Sequence, residues 1–305
     1  MSDGLPDRLA RRRRELRRRQ VRRRRLLLGG GVLAAVILAL FLVTRGGDDT
    51  PADSGKRVAA ADRPAKPSDG DSASEPGGAQ PDSSWKPSRA PVPILMYHVI
   101  GEPAGEVAYP DLYLSVDDFK EQVDWLDENS YTPVTLVQVQ DAWYDGATLP
   151  EKPIVLSFDD GYLGQYLDAM PTLKKKGWAG QLNLKAEGSD LSSKQVKKMI
   201  RAGWEIASHT ITHPDLPSIS PEQLRTELVD SKKMLERDLG IPIENFCYPA
   251  GQYDEAVVAA VEAAGYRGAT TVDPGLADRG EPFELKRIRI DNGFGSAELA
   301  SALGV

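Results

Sequence analysis

The stretch Pro153-Ile154-Val155-Leu156-Ser157-Phe158-Asp159-Asp160-Gly161 is an apolar run that stops abruptly at two adjacent carboxylates and a glycine. A short apolar run closed by a turn signal reads as a buried strand. Charge at the end of such a strand needs a reason. Upstream, Pro93 to Ile100 (PILMYHVI) reads as a second buried strand, Val116 to Asn129 as a helix through Phe119, Val123 and Leu126, and Tyr131 to Leu136 as a further strand. Downstream, helices are expected over 162–176 and 192–202, from Ser220-Pro221 to about Leu239, and from Asp254 to Ala264. Strands are expected at Trp204 to Ala207, Asn245 to Tyr248 and Tyr266 to Thr271. The alternation argues for parallel βαβ units in a barrel or an open sheet, with the chemistry at the carboxyl ends of the strands.

A second constellation falls at such a strand end, Ser208-His209-Thr210-Ile211-Thr212-His213 after Trp-Glu-Ile-Ala. Two histidines four apart meet on one face of a helical turn, where both imidazoles reach one divalent ion. A nearby carboxylate completes a three-ligand set with open positions, which is catalytic in style. The blander reading makes Asp159 and Asp160 helix caps and the histidines surface residues. It leaves unexplained why a chain with 3 histidines places two at ligand spacing after a strand. Adjacent carboxylates can divide the work: one bound to a cation stays ionised while the other takes a proton from water.

The first hundred residues tell a separate story. Residues 1–25 are crowded with arginine, and 26–43 (LLLGGGVLAAVILALFLV) carry no charge. At a rise of about 1.5 Å per residue that run spans roughly 27 Å, near the thickness of a bilayer core. It reads as a single transmembrane anchor in place of a cleaved signal peptide, with 1–25 cytoplasmic and the remainder outside. Residues 44–92 are rich in Gly, Pro, Ser and Asp and read as a flexible linker, leaving 93–305 as one folded domain. Of the 38 basic and 45 acidic residues, 13 Arg and three acidic residues lie in 1–45. The outer part is therefore strongly acidic, so neutral or partly cationic glycans are easier partners than nucleic acid, and none of the latter is expected. One cysteine, Cys247, allows no intrachain disulfide. The sequence does not fix the oligomeric state.

SFDDG at 157–161 and HTITH at 209–213 resemble the first two motifs of the polysaccharide deacetylases, the NodB-homology or carbohydrate esterase family 4 proteins. PILMYH at 93–98, AGWEIASHTITHPDL at 202–216 and FCYPAGQYD at 246–254 extend the likeness over most of the domain. The resemblance implies an α/β fold, a distorted or incomplete (β/α) barrel of the NodB-homology type, here preceded by a single transmembrane helix and a disordered linker. It implies Asp159 as general base and Asp160, His209 and His213 as ligands of one divalent metal ion, zinc or else cobalt, nickel or manganese. The partner is an N-acetylated glycan, of peptidoglycan or poly-N-acetylglucosamine type, which loses acetate. The oxyanion donor falls on the amide of Ala250 after Pro249, with Tyr248 lining the sugar site.

Two departures follow from the same comparison. The third motif reads Cys247-Tyr248-Pro249-Ala250 and lacks the arginine that orients the base. Arg287 or Arg289 of KRIRI could replace it, although the alternation with Ile288 and Ile290 favours arginines that point outward. No histidine exists beyond His213, so the general acid of the fifth motif is missing, and His98 is the residue left to act as acid or polar substrate contact. Cys247 is expected to be a buried small residue beside the cleft. Two further functions remain open at this level: an O-acetyl esterase on xylan-type substrates with the same site, and a non-catalytic metal-containing carbohydrate-binding protein.

Overall fold

The computed structural model describes residues 78–305. Seven strands carry the architecture: β1 (Ile94–Tyr97), β2 (Pro153–Asp159), β3 (Gln181–Leu184), β4 (Glu205–Ser208), β5 (Asn245–Cys247), β6 (Gly268–Pro274) and β7 (Leu285–Arg289). Each pairs in parallel with the next, and β1 pairs with both β7 and β2, so the sheet closes on itself. Of the two architectures left open by the alternation, the protein forms the barrel. A two-residue strand, Thr132–Pro133, adds to the start of β2 outside the ring.

Closure gives each strand two buried faces. Side chains alternate across a strand, and in β2 Ile154, Leu156 and Phe158 pack outward into the core beneath the helices. Val155, Ser157 and Asp159 face the barrel interior. Phe158 is the centre of the outer core, with ring centroids 5.1 Å from Tyr97, 5.9 Å from Phe119 and 5.0 Å from Trp204. Truncating such a ring costs about 3–5 kcal/mol.

The crossovers are α1 (Val116–Glu128) and α2 (Leu136–Gln140) before β2, α3 (Met170–Lys175) before β3, and α4 (Ser193–Arg201) before β4. Then come α5 (Pro221–Arg225) and α6 (Ser231–Leu239) before β5, α7 (Glu255–Ala263) before β6, and α8 (Ser296–Leu303) after β7. Between β6 and β7 the described chain forms no helix, which is where the barrel departs from regularity. Thr135 with Gln138, Ser192 with Gln195, and Ser220 with Gln223 each form a capping box that satisfies amide groups at a helix start. Three single π turns interrupt the helical stretches, at Asp141–Asp145, Gln165–Ala169 and Thr226–Asp230.

Two expectations need correction, and a third needs a refinement. The strand expected over Tyr131 to Leu136 ends at Pro133, because Thr135 caps α2, and Leu136 and Val139 then pack with Ile94, Val155 and Leu285 at the amino end of the barrel. The helix expected over 162–176 runs from Leu163 to Lys175, with the π turn Gln165–Ala169 inside it. The linker expected to run to residue 92 is packed from 78 onward: Trp85 is buried, Lys86–Pro87 pairs with Thr148–Leu149, and Val92 pairs with Ala277. Trp143 Nε1 also donates to the Ala90 carbonyl at 2.9 Å. The expected anchor at 26–43 and the segment 1–25 lie outside the described residues, and among those described no helix is long and apolar enough to cross a membrane.

Candidate active site

The alternation that sends Phe158 outward sends Asp159 inward at the carboxyl end of β2, where inward residues of other strands meet it. Asp159 is 2% exposed. Its Oδ1 accepts from Asn183 Nδ2 at 2.6 Å and from Arg287 Nη1 at 2.8 Å, and its Oδ2 accepts from Arg287 Nη2 at 2.8 Å. A carboxylate offers about four lone-pair directions, so Oδ1 is saturated, while Oδ2 has only a long, weak hydrogen bond from the Cys247 thiol beside its bond from Arg287. On that oxygen His98 Nε2 stands at 3.7 Å and Cys247 Sγ at 3.8 Å. Burial by itself would raise the Asp159 carboxyl, but the Arg287 guanidinium outweighs it and holds the group well below the usual carboxylate range. Gln165 Nε2 donates to the Asp159 carbonyl at 2.6 Å and to the His98 carbonyl at 2.8 Å, which ties the two strand ends together.

Asp160, one residue on, has left-handed backbone with φ 74°, followed by Gly161 at 77°. The left-handed turn, which Asp tolerates better than most residues, swings its carboxylate out of the barrel axis toward the next loop. Asp160 Oδ1 lies 3.8 Å from His209 Nε2, 3.6 Å from His213 Nε2 and 3.6 Å from Lys185 Nζ. The two aspartates thus have opposite surroundings: one is held by a guanidinium and an amide, the other faces two imidazoles.

The histidines converge for a reason other than helical spacing. Residues 209–213 form a loop after β4, not a helical turn, and Thr210 (φ 69°) and His213 (φ 61°) both adopt left-handed backbone. Such a conformation costs roughly 1–2 kcal/mol per residue. Thr210 Oγ1 donates to the His209 carbonyl and accepts from His213 N at 2.9 Å, closing the loop so that the imidazole centroids lie 4.8 Å apart. His209 Nδ1 shares a hydrogen bond of 2.7 Å with the Cys247 carbonyl. A carbonyl only accepts, so Nδ1 carries the proton and the Nε2 lone pair is left toward Asp160. A backbone partner that fixes the tautomer in this way is the usual support of a metal-binding imidazole.

These residues fit a divalent ion. One ligand atom from each of Asp160, His209 and His213 lies within 4.8 Å of the others. The set is one carboxylate and two neutral imidazoles, the donor chemistry of a catalytic site with open positions. Asp159, His209 and Cys247 also cluster within that distance, but Asp159 already accepts four hydrogen bonds, one of them from the Cys247 thiol. Burial, moreover, pushes the Cys247 thiol up to about 12, so it stays protonated at neutral pH. Burial lowers His213, which favours the neutral ligand form.

Arg287, expected to point outward, is instead 1% exposed and inside the barrel. Ile288 packs on the helix side, and the face opposite it is also buried, because a barrel interior lies behind it. Arg289 is the one that turns out, pairing with Asp291 at 2.5 Å. His98 is brought to Asp159, and burial lowers its pKa more than Asp159 raises it. Pro249 is buried and Ala250 exposed, with φ 51°, at the end of β5. Tyr248 does not line an open site: it is buried, its hydroxyl donates to the Phe283 carbonyl at 3.0 Å, and its ring packs on Phe246 and Tyr253. Cys247 is buried beside Asp159. Asn183 and Lys185 escaped the sequence reading. The alternation Gln181-Leu182-Asn183-Leu184 carried the signal for Asn183, since polar residues at every second place of a buried strand face a polar interior.

The family model described as polysaccharide deacetylase matches residues 146–269. YxkH of Bacillus subtilis (strain 168), provisionally named a polysaccharide deacetylase, is 34% identical over 223 residues, covering 70% of this chain and 78% of that protein. The poly-beta-1,6-N-acetyl-D-glucosamine N-deacetylase of Escherichia coli (strain K12) is 24% identical over 256 residues, covering 68% of this chain and 38% of that protein. Among solved structures, the Streptococcus pyogenes deacetylase PplD in complex with acetate matches with TM-score 0.66 and 28% identity, over 70% of this chain and 99% of that one.

Proposed function

The chain belongs to the polysaccharide deacetylase family, and from that premise we propose that it hydrolyses N-acetyl groups on a peptidoglycan or poly-N-acetylglucosamine type glycan with the help of one divalent ion at Asp160, His209 and His213. The observation that carries the reading is the contrast between the paired aspartates. Asp159 is locked to Arg287, with only the weak contact of the Cys247 thiol on the second direction of Oδ2, while Asp160 faces two imidazoles with their ligand atoms turned inward. When bound, the ion, zinc or else cobalt, nickel or manganese, supplies a Lewis acid that polarises the acetyl carbonyl and activates water.

The protein's own groups do the rest. Asp159 is ionised and takes the proton of the attacking water at Oδ2, where only the weak Cys247 thiol contact has to give way. Arg287 and Asn183 hold the carboxylate plane so that this oxygen faces the cleft. His98 is neutral at rest, so it serves as acid only after gaining a proton, and Oδ2 at 3.7 Å is the donor at hand. His98 Nε2 then protonates the leaving amine as the carbon–nitrogen bond breaks, giving acetate and a free amine. The exposed Ala250 at the end of β5 offers its amide to the oxyanion. The acetate in the PplD structure and the N-deacetylase activity for which the Escherichia coli relative is named support this direction. The absent third-motif arginine, which favoured a binder without turnover, is supplied from β7 by Arg287. The apolar run 26–43 behind an arginine cluster supports a single-pass anchor with the catalytic domain outside the cell membrane.

The test is acetate release by the full chain from N-acetylglucosamine oligomers and from peptidoglycan, with and without chelator, beside Asp159→Asn and His209→Ala. Chelator-sensitive release that disappears in both variants is expected. Release from acetylated xylan alone would transfer the site to the O-acetyl esterases, and turnover untouched by chelator and by His209→Ala would remove the metal from the reading.

A further inference from the structure

The loop that presents both histidines is held from a distance by one carboxylate. Glu227 Oε2 accepts from Ile211 N at 2.8 Å and from Thr212 N at 3.0 Å, and Oε1 accepts from Thr212 Oγ1 at 2.6 Å. These are the residues between His209 and His213. On the loop's other side the carbonyls of Thr210 and Ile211 accept from Ala186 N at 3.0 Å and Glu187 N at 3.1 Å. The loop is therefore gripped on both edges, its donors by Glu227 and its acceptors by the chain after β3.

Two features make Glu227 more than an incidental contact. Thr210 and His213 both stand in left-handed backbone, which neither residue type prefers, so something must hold them there. Glu227 also belongs to the π turn Thr226–Asp230, where the helical stretch 221–239 carries one residue more than a regular helix would. A single wide turn rotates the residues before it relative to those after, and such turns are frequent at functional sites. Leu224 and Leu228 of the same stretch are buried while Glu227 reaches the loop.

We infer that Glu227 is a positioning residue for the metal site: it clamps the Ile211 and Thr212 amides and so keeps His209 Nε2 and His213 Nε2 aimed at Asp160 before any ion arrives. The inference rests on the metal reading above. Partners that orient metal ligands typically contribute about 10–100-fold in affinity. Because Glu227 acts through the loop backbone and touches neither imidazole, its removal acts on the ion's affinity and ligand geometry, and the barrel stays folded without it.

The experiment is a cobalt(II) titration of the full chain, freed of metal by chelator, read by competition and by the visible spectrum, with the melting temperature of each apoprotein alongside. For Glu227→Ala we expect a 10–100-fold weaker affinity and an altered spectrum, with the apoprotein melting close to the parent. Glu227→Gln, which keeps one acceptor oxygen, should recover part of the affinity. Thr212→Val removes only the hydroxyl contact, leaves the amide clamp, and should weaken binding by a smaller factor even if Glu227→Ala fails to fold. The clamp is refuted if Glu227→Ala and Thr212→Val both bind cobalt with the parent's affinity and spectrum while His209→Ala loses it. If His209→Ala binds as the parent does, the metal reading itself has failed.

Discussion

Replacing Arg287 by methionine tests the reasoning about the base at its most exposed point. The guanidinium is fully buried and makes two hydrogen bonds of 2.8 Å to Asp159, together with contacts to the Thr271 carbonyl and Ser157. Hydrogen bonds between charged groups contribute about 1.5–3 kcal/mol each, and removing one partner of a buried ion pair costs about 3–5 kcal/mol because the other charge is left without compensation. Asn183 remains on Oδ1, so we expect about 4 kcal/mol lost at pH 7. The sign with pH follows. The Asp159 carboxyl is depressed in the folded protein, so its contribution is present above the unfolded pKa and fades as pH falls toward the folded one. Without Arg287, burial raises that pKa instead, and the loss of stability shrinks as the solution becomes acidic. Urea denaturation of Arg287→Met, Asp159→Asn and the double variant between pH 4 and 8 measures this. The double variant should be more stable than Arg287→Met at pH 7, since the uncompensated charge is gone. A cost for Arg287→Met below about 1 kcal/mol, or no recovery in the double variant, would refute the reasoning.

Other outcomes follow from the same contacts. Glu205, buried at the start of β4, has its pKa raised by burial to about 7 despite hydrogen bonds from Asn245 and Val137. Its favourable contribution is complete below about 4.5 and is lost as pH rises through about 7. The parent should lose up to about 3 kcal/mol between pH 5 and 8, a slope that Glu205→Gln should flatten; a parallel slope in urea midpoints would rule this out. Lys185→Met removes a cation 3.6 Å from Asp160 Oδ1 and should tighten cobalt binding roughly threefold to tenfold; unchanged or weaker binding in a competition titration contradicts it. Asn183→Leu should lower kcat about tenfold with little change in KM, since it frees Oδ1 and not the substrate site; a change confined to KM would show that Asn183 meets substrate. A chain beginning at residue 93 should be less stable than one beginning at 78 by about 3–5 kcal/mol, the cost of removing Trp85 and Val92 from the core, and equal urea midpoints would return 78–92 to the linker.

The parts of the fold visible in sequence were those in which one strand face decides the outcome. PIVLSF and WEIA are apolar on the helix side and buried, so the strands and the alternation could be read directly, and the carboxylates of SFDDG had to lie at a strand end. Arg287 was misread because the rule that apolar residues face the core assumes one core. In KRIRI the isoleucines do face a core, yet the arginine on the other face is equally buried because the closed sheet makes an interior of its own. His209 and His213 were paired correctly for an incorrect reason: an i, i+4 spacing brings side chains together on a helix, but here a left-handed turn held by Thr210 does so. The distant clamp at Glu227 left no trace in spacing at all, since a π turn is a property of backbone path and not of residue type. Tyr248 was drawn to the site by its neighbours in sequence, but alternation places it on the outer side of β5, away from Cys247.

The strap formed by 78–92 also has a mechanical meaning. Between residue 78 and β1 the chain is fastened by Trp85 in the core, by a two-residue antiparallel pairing, by the bridge from Val92 to Ala277, and by side-chain hydrogen bonds from Gln138 and Trp143 to the Ala79 and Ala90 carbonyls. Tension applied through the preceding chain must be borne by these few bonds at the amino end of the barrel before it reaches β1. Because β1 is also the strand that closes the ring and leads into His98, the contacts of 78–92 stand between a pull on residue 78 and the strand end that presents His98.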